Sequence, residues 1–199
     1  MTVRQNTKMR KQIERMQPAA TDDIREIIFR CENKPELQVL GNMVRVIANT
    51  GLRNCEFKLL QKTDIDPAGI WLNVRRRRTV ASPARTLPIL PLTNAALVSL
   101  HQLNPQSEFI LGDRPRTQFD NMIRKLKTVA PQLTHTRVWS CLIRLNFESR
   151  LFMAGIPTGV VKYVLGRESL HSSLSELTLT HEQMLQVARR YLERFMEEL

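Results

Sequence analysis

The sequence lacks the features of membrane, secreted and metal-binding proteins. Among its 199 residues no apolar run approaches the roughly 18 residues that a membrane span needs. Its start is basic and polar, without the apolar segment of a secretory signal. Three widely spaced cysteines, Cys31, Cys55 and Cys141, are typical of reduced thiols rather than of a disulfide framework or a zinc site. The four histidines are scattered too, so we expect a cytoplasmic protein with no metal, no cofactor and no membrane association.

Acidic residues are also scarce compared with basic ones. The chain has 30 Lys and Arg against 19 Asp and Glu, a formal net charge of +11. Such an excess is typical of nucleic-acid-binding proteins, although a uniformly basic solvated surface would give the same number. The basic residues are clustered, however, in an N-terminal arm (residues 1–18), in residues 75–78 and in residues 114–137. Clustering favours a nucleic-acid partner.

Hydrophobic periodicity predicts a mainly helical α+β domain over residues 19–199, after the basic arm. A first helix should start at Thr21, whose side chain we expect to cap it, and a second should start near Pro35 and end at Gly51. The alternating segments 69–74 and 85–89 predict a small antiparallel sheet of two or three strands. Further helices are predicted over residues 116–128, 136–154 and 180–198. The last one begins with a capping box and has an apolar stripe that permits docking on a second copy of the chain or on its own domain.

The segment from Ala48 to Asp66 is the most informative part of the chain. Gly51 suits the left-handed backbone at a helix end, which places Arg53 at the corner between two helices, the second of which should be short and end near Lys62. An arginine held there can grip a phosphate with two parallel hydrogen bonds, and Glu56 could orient it. A simpler alternative is a helix-turn-helix corner with an ordinary surface ion pair.

The order Thr-Gly-Leu-Arg-x-x-Glu, then Leu-Leu, then Asp-Ile-Asp, resembles the catalytic domain of tyrosine recombinases (phage integrases). The family's second signature follows at Arg144, with Leu151 and Gly155 at the family's distances. A Leu-Gly pair at residues 165–166 matches the next motif. The resemblance covers about residues 20–190. It implies a recombinase-type fold in which Arg53 and Arg144 clamp the scissile phosphate of DNA.

Several positions depart from the family's catalytic pattern. The hairpin between Asp66 and Pro88 has arginines but no lysine, and arginine is a poor proton donor. Cys141 and Arg167 stand where the family has histidines, and Glu176 stands where the resemblance places the nucleophilic tyrosine. We therefore expect a degenerate member that is not an enzyme and has lost strand cleavage. It would bind duplex DNA as a regulator, or as an accessory, segregation or replication-site factor, associated with the nucleoid.

The residues expected to bind DNA are basic and are spread along the chain. They are Arg53, Arg144, Arg167, Arg75, Arg76, Arg77, Arg78, Arg137, Arg124, Lys125 and Lys127.

Two alternatives remain. The chain could be an active site-specific recombinase with a displaced nucleophile, with Tyr191, possibly acting in trans, ahead of Tyr163, which we expect to be a packing residue. Serines in residues 172–175 could also attack, but no motif places a base beside them. The other alternative is a basic helical interaction protein or RNA binder, in which Arg53 and Arg144 would lie far apart.

Overall fold

The structure, a computed structural model, describes residues 18–75, 84–131, 139–167 and 180–195. These residues form eight α-helices and one antiparallel pair of strands, which confirms the predicted mainly helical fold with a small sheet. The helices are α1 (Thr21–Glu32), α2 (Gln38–Thr50), α3 (Asn54–Phe57), α4 (Pro91–Gln102), α5 (Pro115–Val129), α6 (Trp139–Met153), α7 (Thr158–Val164) and α8 (His181–Phe195). The strands are β1 (Trp71–Val74) and β2 (Arg85–Pro88), and short 3-10 turns span Pro35–Leu37 and Lys62–Asp64.

Helix α2 is the centre of the core. It contacts α1, α4, α5 and α6, and its side chains from Leu40 to Ile47 are largely buried. Full burial of one such apolar side chain stabilises a fold by about 1.5–3 kcal/mol. The Arg150 guanidinium, also buried, donates to the Ala48 carbonyl and so ties α6 to the C-terminal end of α2. The end of α2 is therefore fixed by the core itself.

Gly51 ends α2 as predicted. Its φ of 60° lies in the left-handed region that favours glycine. A Cβ atom at this position would lie 2.5 Å from the Phe147 ring. The chain can therefore turn tightly against α6, and it reaches Arg53 two residues later.

The sheet pairs Trp71 with Pro88 at one end and Val74 with Arg85 at the other. The outer edge of β2 is occupied at Thr86 by the hydroxyl of Tyr163, which accepts from the Thr86 N–H (3.0 Å) and donates to its carbonyl (3.2 Å). Tyr163 is buried, as expected for a packing residue. Residues 76–83, with Arg76, Arg77 and Arg78, lie outside the described residues.

Two local predictions need correction. Thr21 starts α1 but makes no capping bond, because its hydroxyl accepts instead from the Asn146 amide of α6 (3.0 Å). Helix α3 ends at Phe57 rather than near Lys62. The chain then turns again, since the Asp64 carboxylate accepts the Gln61 N–H (2.9 Å) and stabilises a 3-10 turn there.

The C-terminal helix α8 lies against β2 of its own chain, and Leu185 packs on the core. The predicted capping box is present: Thr180 N–H donates to the Gln183 side chain (2.8 Å), and Gln183 N–H donates to the Thr180 hydroxyl (3.2 Å). Docking of this helix on a second copy stays a prediction. In the parts of the chain that the structure describes, no helix combines the length and apolarity of a membrane span.

Candidate nucleic-acid interface

Arg53 stands at the N-terminus of α3, where its backbone and side chain both contact Glu56. The Arg53 N–H donates to Glu56 Oε2 (2.8 Å), and its Nη1 donates to Glu56 Oε1 (3.3 Å). Its Nη2 reaches across the fold to the carbonyl of Gly166 (3.1 Å). About a quarter of the side chain (27%) is exposed. The predicted orienting role of Glu56 thus has a geometric basis.

Arg144 comes to the same place from α6. Its guanidinium donates to the carbonyl of Gly51 and, over 2.5 Å, to the carbonyl of Leu165. Arg53 and Arg144 therefore bind adjacent carbonyls, those of Gly166 and Leu165. The alternative of a basic helical interaction protein or RNA binder predicted that the two arginines lie far apart. The structure instead brings them together.

A third arginine, Arg85, completes this arrangement from β2. Its Nε donates to the Val164 carbonyl (2.8 Å), and its two Nη groups donate to the two carboxylate oxygens of Glu56 (2.8 and 2.9 Å). The side chain is fully buried. Sequence reasoning missed Arg85, because a single basic residue at the start of a predicted strand is typical of an exposed position. An arginine two residues before a buried apolar stretch is too weak a signal to find it.

Three consecutive carbonyls, of residues 164–166, thus each accept a hydrogen bond from a different arginine. They lie at the C-terminal end of α7, where helix carbonyls lack intrahelical donors and the helix dipole is negative. Cationic donors are favoured at such an end. Arginines from three separate elements, α3, β2 and α6, are therefore anchored on backbone carbonyls at one helix end, and they form one cluster.

The pKa values of Glu56 and Arg144 are both lowered, which favours the charged form of the carboxylate and disfavours the charged form of the guanidinium. Burial raises the pKa of the Glu56 carboxyl, but the hydrogen bonds and charge of Arg85 outweigh it and lower the pKa to about 2. Burial and the neighbouring charge of Arg53 lower the pKa of Arg144 to about 9. Glu56 is thus an anion at neutral pH, and Arg144 is a cation held beside other cations. An additional anion at Arg144 would relieve that repulsion.

Arg167 lies directly after Gly166 and contributes a fourth guanidinium. Its two Nη groups donate to the two carboxylate oxygens of Glu148, each over 2.5 Å. Glu148 is four residues after Arg144 on α6, which puts both on one helix face. The charge of Arg167 also contributes to lowering the pKa of Arg144. Arg167 therefore belongs to the same site.

The remaining predicted positions are arranged differently. Cys141 is half-buried on α6, and burial raises the pKa of its thiol, while Arg144 and Ser140 oppose that effect. A neutral thiol is thus expected at neutral pH. Arg75 donates to the carboxylate of Asp64 and to the Thr63 hydroxyl, so it is bound to the 3-10 turn that precedes the sheet.

The basic residues predicted on the helix over residues 116–128 lie on the exposed side of α5. Arg124, Lys125 and Lys127 are all exposed, and Lys125 donates to the Glu36 carbonyl (3.0 Å). Arg137 and Glu176 lie outside the described residues, as do the serines of residues 172–175. The DNA-binding roles of Arg124, Lys125, Lys127 and Arg137 stay predictions.

Comparison with solved structures identifies the fold. A Tn1549 transposon integrase in complex with transposon right-end DNA matches with a TM-score of 0.62 and 16% identity, over 89% of this chain and 65% of that chain. XerA recombinase matches with a TM-score of 0.60 and 18% identity, over 87% and 64%. The same integrase with circular-intermediate DNA gives 0.59 and 15%, over 85% and 63%. This chain thus spans slightly less than two thirds of those proteins.

At the level of sequence, no protein-family model and no curated protein matches the chain.

The expectation that the chain is not an enzyme is contradicted by these comparisons. The structures that share its fold are those of an integrase and a recombinase, which are enzymes. The expectation relied on three residues, Cys141, Arg167 and Glu176, which were matched to the family's catalytic positions by their spacing from the motifs. It gave too little weight to Arg53 and Arg144, which the fold brings together beside Glu56. The chain has the fold of the tyrosine-recombinase catalytic domain.

Proposed function

We propose that this protein binds duplex DNA and that its central contact is between the arginine cluster and DNA phosphate. The observation that carries the proposal is the convergence of Arg53 and Arg144 on adjacent carbonyls. Both guanidiniums are held in place before any ligand arrives, so little side-chain entropy remains to be lost on binding. Arginine is well suited to this task because its planar fork matches the geometry of phosphate oxygens.

The charge balance of the site supports the same proposal. Four guanidiniums meet there, and Glu56 and Glu148 are the carboxylates hydrogen-bonded to them among the described residues. Repulsion from Arg53 contributes to the lowered pKa of Arg144, so a phosphate would stabilise the charged form of that side chain. The net charge of +11 adds a long-range attraction for a polyanion.

Exposed cations outside the cluster would extend the interface. Arg124 and Lys127 on α5 are available for further phosphate contacts. Contacts of this kind fix the position of a protein on DNA but carry little sequence information. The matched integrase structures are complexes with DNA, which agrees with a DNA partner for this fold. We propose a role in DNA recombination, as a regulatory, accessory or segregation factor acting at the nucleoid in the cytoplasm.

A second candidate function is site-specific strand transfer with Tyr191 as the nucleophile. The chain has two tyrosines. Tyr163 is unsuited to attack, because it is buried and its hydroxyl is bonded to both backbone groups of Thr86. Tyr191 lies on α8, which contacts β2, the strand that carries Arg85. The fold shared with an integrase and a recombinase favours this candidate.

One experiment tests both candidates. A labelled duplex of about 30 base pairs is titrated in a native gel shift with the wild type, with Arg53→Ala and with Arg25→Ala. Loss of one phosphate contact should lower the affinity of Arg53→Ala by roughly tenfold at 0.1 M salt. Arg25 is a matched control, since it is an exposed helical arginine bound to Asp22 on α1. Equal losses in the two variants, or no shift with wild type, would overturn the proposal.

The same reactions are then analysed by denaturing electrophoresis. A covalent protein–DNA adduct that disappears in Tyr191→Phe would support the second candidate. A wild-type gel shift without any adduct, on both nicked and supercoiled substrates, would reject it and leave DNA binding.

A further inference from the structure

We infer that Glu148 is a built-in competitor for DNA phosphate at Arg167 and that it limits the affinity of the interface. This inference rests on the proposed DNA binding, and it names a residue that regulates the same site. The pair of Arg167 and Glu148 does not follow from the motifs of the sequence, since only Arg167 lies at a motif position.

The contact between the two side chains has the geometry that a phosphate would adopt. Both Nη groups of Arg167 donate to both oxygens of Glu148, each over 2.5 Å. This fork-to-fork arrangement is the one in which arginine binds carboxylates and phosphates alike. Glu148 therefore uses the pair of donors that a bidentate phosphate would use.

Burial shows which partner is fixed and which is accessible. The side chain of Glu148 is 13% exposed, while that of Arg167 is 46% exposed. Glu148 lies on the same helix face as Arg144, within a long, packed helix. A phosphate approaching from solvent thus meets a guanidinium that is reachable, with a fixed negative charge beside it.

The location of the pair connects it to the phosphate site. Arg167 directly follows Gly166, whose carbonyl binds Arg53, and its charge is felt by Arg144. A phosphate bound at Arg53 and Arg144 would therefore lie near both members of the pair. Full use of Arg167 requires the Glu148 contact to open, and until it opens the carboxylate repels the incoming phosphate.

The test is the Glu148→Gln variant, which keeps the size of the side chain and removes its charge. Affinity for a 30-base-pair duplex of random sequence is measured between about 50 and 300 mM salt. If Arg167 gains one phosphate, affinity should rise about five- to tenfold at 0.1 M salt and the slope of log affinity against log salt should steepen by about 0.9. The matched control is Glu26→Gln, since Glu26 also binds an arginine, Arg30, over 2.6 Å on the exposed side of α1.

A second variant makes the result independent of folding effects. In an Arg167→Ala background the Glu148→Gln change should give no gain, because the arginine that it frees is absent. Weaker binding of Glu148→Gln would show that Glu148 orients Arg167 and would overturn the inference. An equal gain from Glu26→Gln, or a gain that survives in the Arg167→Ala background, would also overturn it. If wild type itself shows no salt-dependent binding, the proposed function fails; an unchanged affinity in Glu148→Gln alone refutes only the competitor role.

Discussion

The site contains two arginine–carboxylate pairs of the same geometry and opposite burial. Arg85 and Glu56 are 0% and 3% exposed, whereas Arg167 and Glu148 are 46% and 13% exposed. In both pairs two guanidinium nitrogens donate to two carboxylate oxygens. The first pair is sealed within the fold and holds Arg53 through Glu56. The second is open to solvent, so its guanidinium can exchange partners. The two pairs therefore differ in burial and not in bond geometry. Burial decides whether the arginine stays fixed to its carboxylate or can exchange it for a ligand.

The largest expected effect comes from breaking the buried pair. Arg85→Ala leaves the Glu56 charge buried with its main partner lost, and such changes destabilise proteins by about 3–5 kcal/mol. Urea unfolding measures this free energy. Arg167→Ala is the matched control, and an exposed pair should cost no more than about 1 kcal/mol. Equal losses in the two variants would refute the comparison.

Acid provides a second way to weaken the buried pair. The pKa of Glu56 is lowered from 4.5 to about 2, so the folded state favours the carboxylate. Its stabilisation is fully present above pH 4.5 and is lost as the pH falls through 2. The shift corresponds to about 3 kcal/mol. Urea unfolding of wild type between pH 6 and pH 2.5 should show this loss, and Glu56→Gln should flatten the curve over that window. An equally steep curve in the variant would show that other carboxyl groups are responsible.

The turn that supports Arg144 is a third test of the rigid part of the site. Gly51→Ala should destabilise the protein by about 2 kcal/mol or more, because a left-handed backbone and a clash with Phe147 both oppose the new methyl group. Gly155→Ala is the control, since Gly155 has a φ of 73° but no atom within 4 Å of the added Cβ. It should cost only about 1–2 kcal/mol for the backbone strain. Thermal unfolding of the two variants separates the clash from the strain, and equal costs would rule out the clash.

The smallest effects on stability are expected for the exposed basic residues of α5. Arg124→Ala and Lys127→Ala should leave stability within about 0.5 kcal/mol of wild type, as is usual for surface changes. Each should reduce the salt dependence of DNA affinity by about 0.9 if it contacts one phosphate. A gel-shift titration at several salt concentrations measures the slope. An unchanged slope in both variants would remove α5 from the interface.

The parts of the site that could be predicted from the sequence are those fixed by local patterns. Gly51 ends a strongly periodic helix, and Arg53 and Glu56 follow it within one short segment. Arg144 was found through its distances to Leu151 and Gly155. The helix order and the position of the sheet followed from hydrophobic spacing, because long amphipathic helices carry the clearest signal.

The parts that escaped prediction depend on contacts between distant segments. Arg85 is separated from Glu56 by 29 residues, and only the tertiary fold buries it. Glu148 could be placed on the Arg144 face, but its bond to Arg167 depends on how α7 packs against α6. Thr21 was misassigned as a cap for a similar reason, since Asn146 is 125 residues away in the chain. Local sequence patterns carry no information about such partners.

The most direct test of the central claim is the salt dependence of duplex-DNA affinity for wild type and for the Arg53→Ala/Arg144→Ala double variant. If Arg53 and Arg144 each bind a phosphate, the slope of log affinity against log salt should be shallower in the double variant by about 1.8. Affinity at 0.1 M salt should fall by roughly two orders of magnitude. Identical slopes and affinities in a double variant that remains folded would contradict the account.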